Sequence, residues 1–120
     1  MAPKSGTDLI NEAKTRIREV TPNEVREMRA RGEKAVYLDV REPNEWNLGH
    51  LPGAMHIPRG NLETKIEVAI PRDRKIVIYC ASGNRSALAA DTLQQMGYGD
   101  VASMSGGFTG WAQSGGEVEG

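Results

Sequence analysis

Two short apolar runs without alternation mark the clearest strands of this chain. They are residues 35–40, Ala-Val-Tyr-Leu-Asp-Val, and residues 75–79, Lys-Ile-Val-Ile-Tyr. A strand that is buried on both faces has this pattern, whereas a strand with one solvent-exposed face alternates between apolar and polar residues. We also predict a brief strand over 54–57, bounded by Pro-Gly and Pro, and a further strand over 101–104.

Helical patterns lie between these strands. Thr21 is a potential N-cap, Pro22 would occupy the first helical position, and Glu24 follows three residues after the cap, so we predict a helix from about Pro22 to Arg31. Apolar residues at helical spacing predict an earlier amphipathic helix, and they are Leu9, Ile10, Ala13, Ile17 and Val20. The other predicted helices cover 42–48, 62–69 and about 85–96, and a last one begins at Gly106-Gly107.

Buried strands that alternate with helices predict an α/β domain. Its central sheet should be mostly parallel, contain about five strands and have helices on both faces. No internal repeat and no long linker divides the chain. We predict one domain over residues 21–116, preceded by an extension over 1–20 that is partly disordered and then helical. A disordered tail is predicted over 117–120.

Composition narrows the possible classes of function. Of the 120 residues, 38% are hydrophobic and 26% charged, as is usual for a single domain that needs no disulfide or structural metal. The net charge is −1 with both signs mixed along the chain, which argues against nucleic acid as a partner. The apolar runs are far shorter than the about 20 residues of a membrane-spanning helix. The N-terminus lacks the apolar core of a secretory signal, so we expect no membrane partner and a cytoplasmic location.

The chain has one cysteine, Cys80, and therefore no internal disulfide. His50 and His56 are not spaced like a common set of metal ligands, so neither a metal nor an organic cofactor is expected. A single cysteine is often an inert buried residue, but the residues that follow Cys80 favour chemistry.

Cys80 directly follows a predicted buried strand and begins a loop that turns into a helix. Ligand sites of open α/β sheets lie at this edge, and a helix N-terminus favours negative charge. Gly83 would let successive amides point at the sulfur, while Arg85 would add a cation at the rim. Such surroundings lower the pKa of a thiol from ~8.5 towards neutrality. We predict Cys80 as the catalytic residue, and the predicted substrate-binding residues are Ala81, Ser82, Gly83, Asn84, Arg85 and Ser86.

Four segments carry a family resemblance that extends from about residue 21 to 115. They are Leu38-Asp39-Val40-Arg41-Glu42-Pro43 with Glu45-Trp46, Gly49-His50-Leu51-Pro52-Gly53-Ala54 with Ile57-Pro58, the Cys80 loop, and Gly106-Gly107-Phe108 with Trp111. In this order they resemble the rhodanese family. The resemblance implies the rhodanese fold and a sulfurtransferase that forms a persulfide on Cys80. The donor would be a small molecule such as thiosulfate, and the acceptor a thiol, cyanide or a protein.

Two alternatives stay open beside this interpretation. Phosphatases of the Cdc25 kind are similar but have a loop one residue longer, whereas Cys80 to Arg85 spans six residues here. The resemblance implies that the shorter loop fits a sulfane sulfur. The second alternative is a sulfur carrier or regulatory protein-binding module with little small-molecule turnover. Ala81 supports it, because some thiosulfate-preferring members have a basic residue at this place.

Asp39 ends a predicted buried strand at the same edge of the sheet as Cys80, and Arg41 follows two residues later. Because buried charges are normally paired, we expect them to pair with each other or with backbone and to support the loop. His50 lies in a turn-like segment and is expected to shape the fold, and Trp46 and Trp111 are expected to be core anchors.

Overall fold

A five-stranded parallel sheet organises the chain in the computed structural model, which describes residues 2–120. The strands are Arg18–Val20 (β1), Val36–Asp39 (β2), Met55–His56 (β3), Ile76–Tyr79 (β4) and Val101–Met104 (β5). Their order in the sheet is β1-β5-β4-β2-β3, and every neighbouring pair is parallel. This arrangement confirms the predicted α/β class and the mostly parallel sheet of about five strands.

Helices cover both faces of the sheet because both faces are apolar. They are Gly6–Arg16 (α1), Pro22–Ala30 (α2), Pro43–Asn47 (α3), Leu62–Ala69 (α4), Asn84–Gln95 (α5) and Gly107–Gln113 (α6), with a 3-10 turn at Arg59–Asn61. Successive side chains of β4 point to opposite faces, so Ile76 and Ile78 pack with α4 and α5, whereas Val77 packs with α2 and α6. None of the helices within residues 2–120 is long and apolar enough to cross a membrane.

The start of α2 follows directly from its sequence. The Thr21 hydroxyl accepts a hydrogen bond of 3.1 Å from the amide of Glu24, and the Glu24 carboxylate accepts one of 3.0 Å from the amide of Thr21. Two otherwise unpaired amides are thereby satisfied. The capping box predicted at this place is confirmed.

The N-terminal segment differs from its prediction at both ends. Ser5 caps α1 by accepting a hydrogen bond from the amide of Asp8, so the helix begins at Gly6, three residues before Leu9, where the predicted helical pattern starts. The helix ends at Arg16, and the prediction of one helix through Val20 was wrong, since Val20 belongs to β1. β1 is three residues long, and only Val20 of it is buried. Because so short a segment has no periodic pattern of its own, its sequence cannot be distinguished from that of another helical turn. The sheet therefore includes part of the predicted extension.

The C-terminal residues 117–120, which we predicted as a disordered tail, pair with the body of the domain. His50 and Glu119 form an antiparallel bridge with amide-to-carbonyl distances of 2.8 and 2.9 Å. The indole nitrogen of Trp111 donates a hydrogen bond of 2.7 Å to the carbonyl of Glu117. The partners of this segment lie far away in the sequence, so its polar composition alone did not reveal them.

Candidate active site

The loop between β4 and α5 encloses the sulfur atom of Cys80. Cys80 follows the last residue of β4 and is only 1% exposed. Gly83 caps α5 with a φ of 105°, a left-handed conformation that favours glycine. A side chain at Gly83 would also approach the amide nitrogen of Gly106 to 3.4 Å. The tight turn that brings the start of α5 over the sulfur therefore depends on Gly83.

Hydrogen-bond donors of the loop converge on the sulfur. The amides of Gly83 and Ser86 lie 3.1 and 3.4 Å from Sγ, and the hydroxyl oxygen of Ser86 lies 3.5 Å from it. Burial is the largest single influence and raises the pKa of Cys80. The hydrogen bonds from Ser86, Gly83 and Ser82 together outweigh burial, so the pKa of this thiol is lowered from its ordinary value. The site favours a thiolate, which is the nucleophilic form of cysteine.

The outer side of the loop is held by the first amides of α6. Phe108 donates a hydrogen bond of 2.8 Å to the carbonyl of Cys80, and Thr109 donates one of 3.1 Å to the carbonyl of Ala81. Because the carbonyl and the N–H of one peptide unit point in opposite directions, these two contacts turn the amides of Ala81 and Ser82 towards the inside of the loop. The contacts of α6 thus fix the orientation of two of the backbone amides around the sulfur.

Arg85 is paired with a carboxylate at the rim of the loop. Its two terminal nitrogens lie 2.8 and 3.0 Å from the carboxylate oxygens of Glu45, which belongs to α3. The hydrogen bond with Arg85 is the main cause that lowers the pKa of Glu45 to about 2. Glu45 also raises the pKa of Arg85, with a smaller contribution from attraction to Cys80. Arg85 is therefore the predicted cation beside the sulfur, but much of its charge is balanced by Glu45.

A second cation reaches the rim from α1. The ammonium group of Lys14 donates a hydrogen bond of 3.1 Å to the side-chain oxygen of Asn84, the first residue of α5. Within residues 2–120, no carboxylate lies within ion-pair distance of Lys14, so its charge is not balanced by a neighbouring side chain. Asn84 and Ser82 are both exposed, so this side of the loop is open to solvent.

Asp39 and Arg41 form a buried ion pair beside the site. Their side chains approach to 2.8 Å, and Arg41 also donates a hydrogen bond of 2.7 Å to the carbonyl of Gly49. None of the hydrogen bonds of the pair reaches residues 80–86. The guanidinium carbon of Arg41 lies 4.3 Å from the centre of the Phe108 ring and 5.7 Å from that of Tyr79, so the pair contacts the two residues that hold and precede Cys80. Its role as a support of the loop stays a prediction.

The two histidines stack on one indole ring, and neither is hydrogen-bonded to Cys80. His50 stacks on Trp46 with ring centres 3.4 Å apart, and His56 lies on the same indole at 4.8 Å. A ring nitrogen of His56 lies 2.8 Å from the carbonyl of Arg41. Among residues 2–120, no group of three or more histidine, cysteine, aspartate or glutamate side chains is placed to hold a metal ion.

Comparison with known proteins identifies the family. A family model described as the rhodanese-like domain matches residues 21–114, which is more than half of the chain. The chain belongs to this family.

Curated relatives of this rhodanese-like domain include sulfurtransferases. It is 35% identical over 99 residues to the sulfurtransferase of Allochromatium vinosum, a match that covers 82% of this chain and 92% of that protein. It is 37% identical over 95 residues to the probable adenylyltransferase/sulfurtransferase MoeZ of Mycobacterium tuberculosis. That match covers 78% of this chain but spans only 24% of the length of MoeZ. These relatives support a sulfur-transfer activity in general terms.

Solved structures show the same fold. A protein of unknown function from Rhodopseudomonas palustris, described as a possible tyrosine phosphatase, has a TM-score of 0.90 and 35% identity to this rhodanese-like domain. The match covers 99% of this chain and 97% of that one. A thiosulfate sulfurtransferase from Pseudomonas aeruginosa has a TM-score of 0.76 and 33% identity, over 85% of this chain and 20% of its own.

Residues outside the predicted loop also contribute to the site of this rhodanese-like domain. Glu45 lies in the first family-like segment, but its sequence position carries no sign that it pairs with Arg85. Lys14 lies before the family-like region, and Ser103 lies inside an apolar strand. Ser103 is fully buried and its hydroxyl oxygen lies 2.8 Å from that of Ser86. A serine in an apolar run is the only signal that the sequence offers for it.

Proposed function

We propose that this rhodanese-like domain moves a sulfane sulfur from a small donor such as thiosulfate to a thiophilic acceptor through a persulfide on Cys80. The Cys80 thiolate attacks the outer sulfur of thiosulfate, the S–S bond of the donor breaks, and sulfite leaves with the bonding electron pair. An acceptor such as cyanide or a thiol then attacks the outer sulfur of the persulfide. The Cys80 thiolate leaves with the electron pair of the S–S bond, and thiocyanate or a new persulfide is released.

The observation that carries this proposal is the set of donors around Sγ. Gly83 and Ser86 place their amides 3.1 and 3.4 Å from the sulfur, and the pKa of Cys80 is lowered although the residue is buried. Donors fixed before the reaction stabilise negative charge without rearranging. Both the thiolate and the terminal sulfur of a persulfide are anions, so the same loop suits both resting states of the cycle.

The mass of the intact protein tests the proposal. After treatment with thiosulfate, the protein should gain one sulfur atom, and addition of cyanide should remove the gain while thiocyanate is formed. The Cys80→Ser variant should keep its fold, gain no sulfur and form no thiocyanate, since oxygen replaces sulfur at nearly the same shape. Retained turnover in this variant would exclude the persulfide mechanism.

A carrier function is the second candidate, and the match to part of MoeZ favours it. The rhodanese-like region corresponds to only 24% of that longer protein, so in MoeZ a domain of this kind is joined to other parts. A carrier would gain the sulfur of thiosulfate but turn over cyanide slowly, and a protein would be its better acceptor. Comparing the rate of persulfide formation with the rate of thiocyanate release separates the two functions.

A phosphatase function has less support from the loop. Cys80 to Arg85 spans six residues, and the resemblance to phosphatases of the Cdc25 kind involves a longer loop. The solved structure described as a possible tyrosine phosphatase makes the test worthwhile. Hydrolysis of an aryl phosphate by the protein, absent in the Cys80→Ser variant, would replace the sulfurtransferase proposal.

A further inference from the structure

Ser103 stands in an unusual place for a hydroxyl group. It lies in the apolar strand β5, which is buried along its whole length, and its own exposure is 0%. Among residues 2–120, the only hydrogen-bond partner of its hydroxyl is the hydroxyl of Ser86, at 2.8 Å. A buried polar group needs a partner, and this one depends on a single neighbour.

Ser86 connects Ser103 with the sulfur. The Ser86 side chain is also fully buried, and its oxygen lies 3.5 Å from Sγ of Cys80. The Ser86 amide lies 3.4 Å from the same sulfur, so the residue is fixed by its backbone as well. Three polar atoms, on β5, on α5 and on the residue directly after β4, therefore form one buried row from Ser103 through Ser86 to Cys80.

The protons of this row can be arranged in two directions. In the thiol form, the S–H donates to Ser86 and Ser86 donates to Ser103, which leaves the proton of Ser103 without an acceptor among residues 2–120. In the thiolate form, Ser103 donates to Ser86 and Ser86 donates to Sγ, so each proton has an acceptor. An unsatisfied buried donor is costly, and the second direction is therefore preferred.

We propose that Ser103 is a positioning residue that directs the hydroxyl proton of Ser86 towards Sγ. Ser103 does not contact the reacting atoms itself. Its effect is to favour the thiolate of Cys80 over the thiol. The same direction of the two hydroxyl protons would stabilise an anionic persulfide, and this part of the inference rests on the proposed function. The effect of Ser103 on the pKa of Cys80 does not depend on that function.

The pKa of Cys80, measured from thiolate absorbance as pH is varied, tests the inference without any turnover. In Ser103→Ala we expect this pKa to rise by roughly half to one unit, which is a threefold to tenfold change in the ratio of thiol to thiolate. Ser103→Thr keeps a hydroxyl at the same atom and should keep a pKa close to that of the parent protein. Ser105→Ala is the matched control, because the Ser105 hydroxyl bonds the carbonyl of Val20 at 3.2 Å and does not reach the site.

Repeating the substitution of Ser103 in the Ser86→Ala variant distinguishes a positioning role from a general structural effect. In Ser86→Ala the intermediate hydroxyl is gone, so adding Ser103→Ala should shift the pKa of Cys80 no further. An unchanged pKa in Ser103→Ala, or an equal shift with and without the Ser86 hydroxyl, would overturn the inference. If the pKa values follow the expected pattern but thiosulfate adds no sulfur to Cys80, the proposed function fails and the tuning role of Ser103 stands.

Discussion

Phe108 donates its amide to the carbonyl of Cys80 at a distance of 2.8 Å, so the start of α6 holds the residue that carries the sulfur. This contact leaves no room for a side chain at Gly107. A Cβ there would lie 2.6 Å from the carbonyl carbon and oxygen of Ala81. Packing of two backbone segments against each other, rather than any side chain, sets the orientation of the inward amides.

Gly107→Ala should therefore damage the site more than the fold. The φ of Gly107 is +55° and the added methyl group meets backbone atoms, so α6 must move away from the loop. We expect a loss of about 1–3 kcal/mol in the free energy of unfolding, a range typical of overpacking, and at least a tenfold loss of sulfur transfer. Gly60→Ala is the control, since a Cβ at Gly60 meets no atom within 4 Å. Equal activity of the two variants would show that the contact of α6 is dispensable.

The lowered pKa of Cys80 should appear in the pH dependence of stability. An acid whose pKa is lower in the folded than in the unfolded protein adds stability as pH rises between the two values. The difference in unfolding free energy between the parent protein and Cys80→Ser should grow from the folded pKa up to that of free cysteine, about 8.5, and then stay level. Below the folded pKa, both states carry a thiol and the contribution disappears. Urea unfolding from pH 6 to 10 measures this difference, and a decrease over that range would contradict the lowered pKa.

The pairing of Glu45 with Arg85 should weaken the attraction of the site for the proposed anionic donor, thiosulfate. Glu45→Gln should leave Arg85 with its full charge while keeping an oxygen for the amide of Glu42, which bonds it at 3.0 Å. The KM for thiosulfate should fall by roughly twofold to fivefold, as for removal of one exposed charge partner. Arg85→Ala should raise the KM. Steady-state kinetics of both variants decide the matter, and a shift in the same direction for both would indicate that the pair acts only as a structural clamp.

Lys14 should contribute to the capture of an anionic donor from outside the loop. Lys14→Gln removes a cation that bonds Asn84 at 3.1 Å, so the KM for thiosulfate should rise by about twofold at low salt and differ little at high salt. Lys65→Gln removes the same charge from an exposed position on α4 and serves as the control. Equal effects of the two substitutions would mean that only the net charge of the protein matters.

The buried pair of Asp39 and Arg41 should be the most sensitive point of the neighbouring structure. Arg41→Met leaves the Asp39 carboxylate buried without its partner, so we expect a loss of about 3 kcal/mol in the free energy of unfolding. Arg72→Met, which breaks an exposed pair with Glu67, should cost far less. Urea unfolding of both variants measures the two losses in the free energy of unfolding. A pKa of Cys80 that stays at the parent value in Arg41→Met would show that the pair stabilises the fold without supporting the loop.

Local patterns were sufficient to predict the features that depend on neighbouring residues. The apolar runs of β2, β4 and β5, the capping box at Thr21 and the strand-to-helix turn at Cys80 are all properties of short segments. The features that sequence reasoning missed depend on pairs that are distant in the chain. Glu45 with Arg85 and Ser103 with Ser86 become neighbours only when the strands are ordered in the sheet.

The same limit explains the two ends of the chain. β1 has three residues and is a strand because it pairs with β5, not because of its own composition. Residue 119 is held by His50, which no local pattern indicates. Charge and composition were informative about the class of the protein, but they do not indicate that β1 pairs with β5 or that residue 119 pairs with His50.

The position of β1 decides where this chain can be shortened. The family match begins at residue 21, immediately after β1, so trimming the chain to the family boundary would remove the strand that covers β5. The freed edge would expose the unpaired backbone groups of a strand whose side chains are all buried, Val101–Met104. An apolar strand with an open edge is a template for pairing with another chain. A protein that keeps every loop residue from 80 to 86 but starts at residue 21 should therefore self-associate.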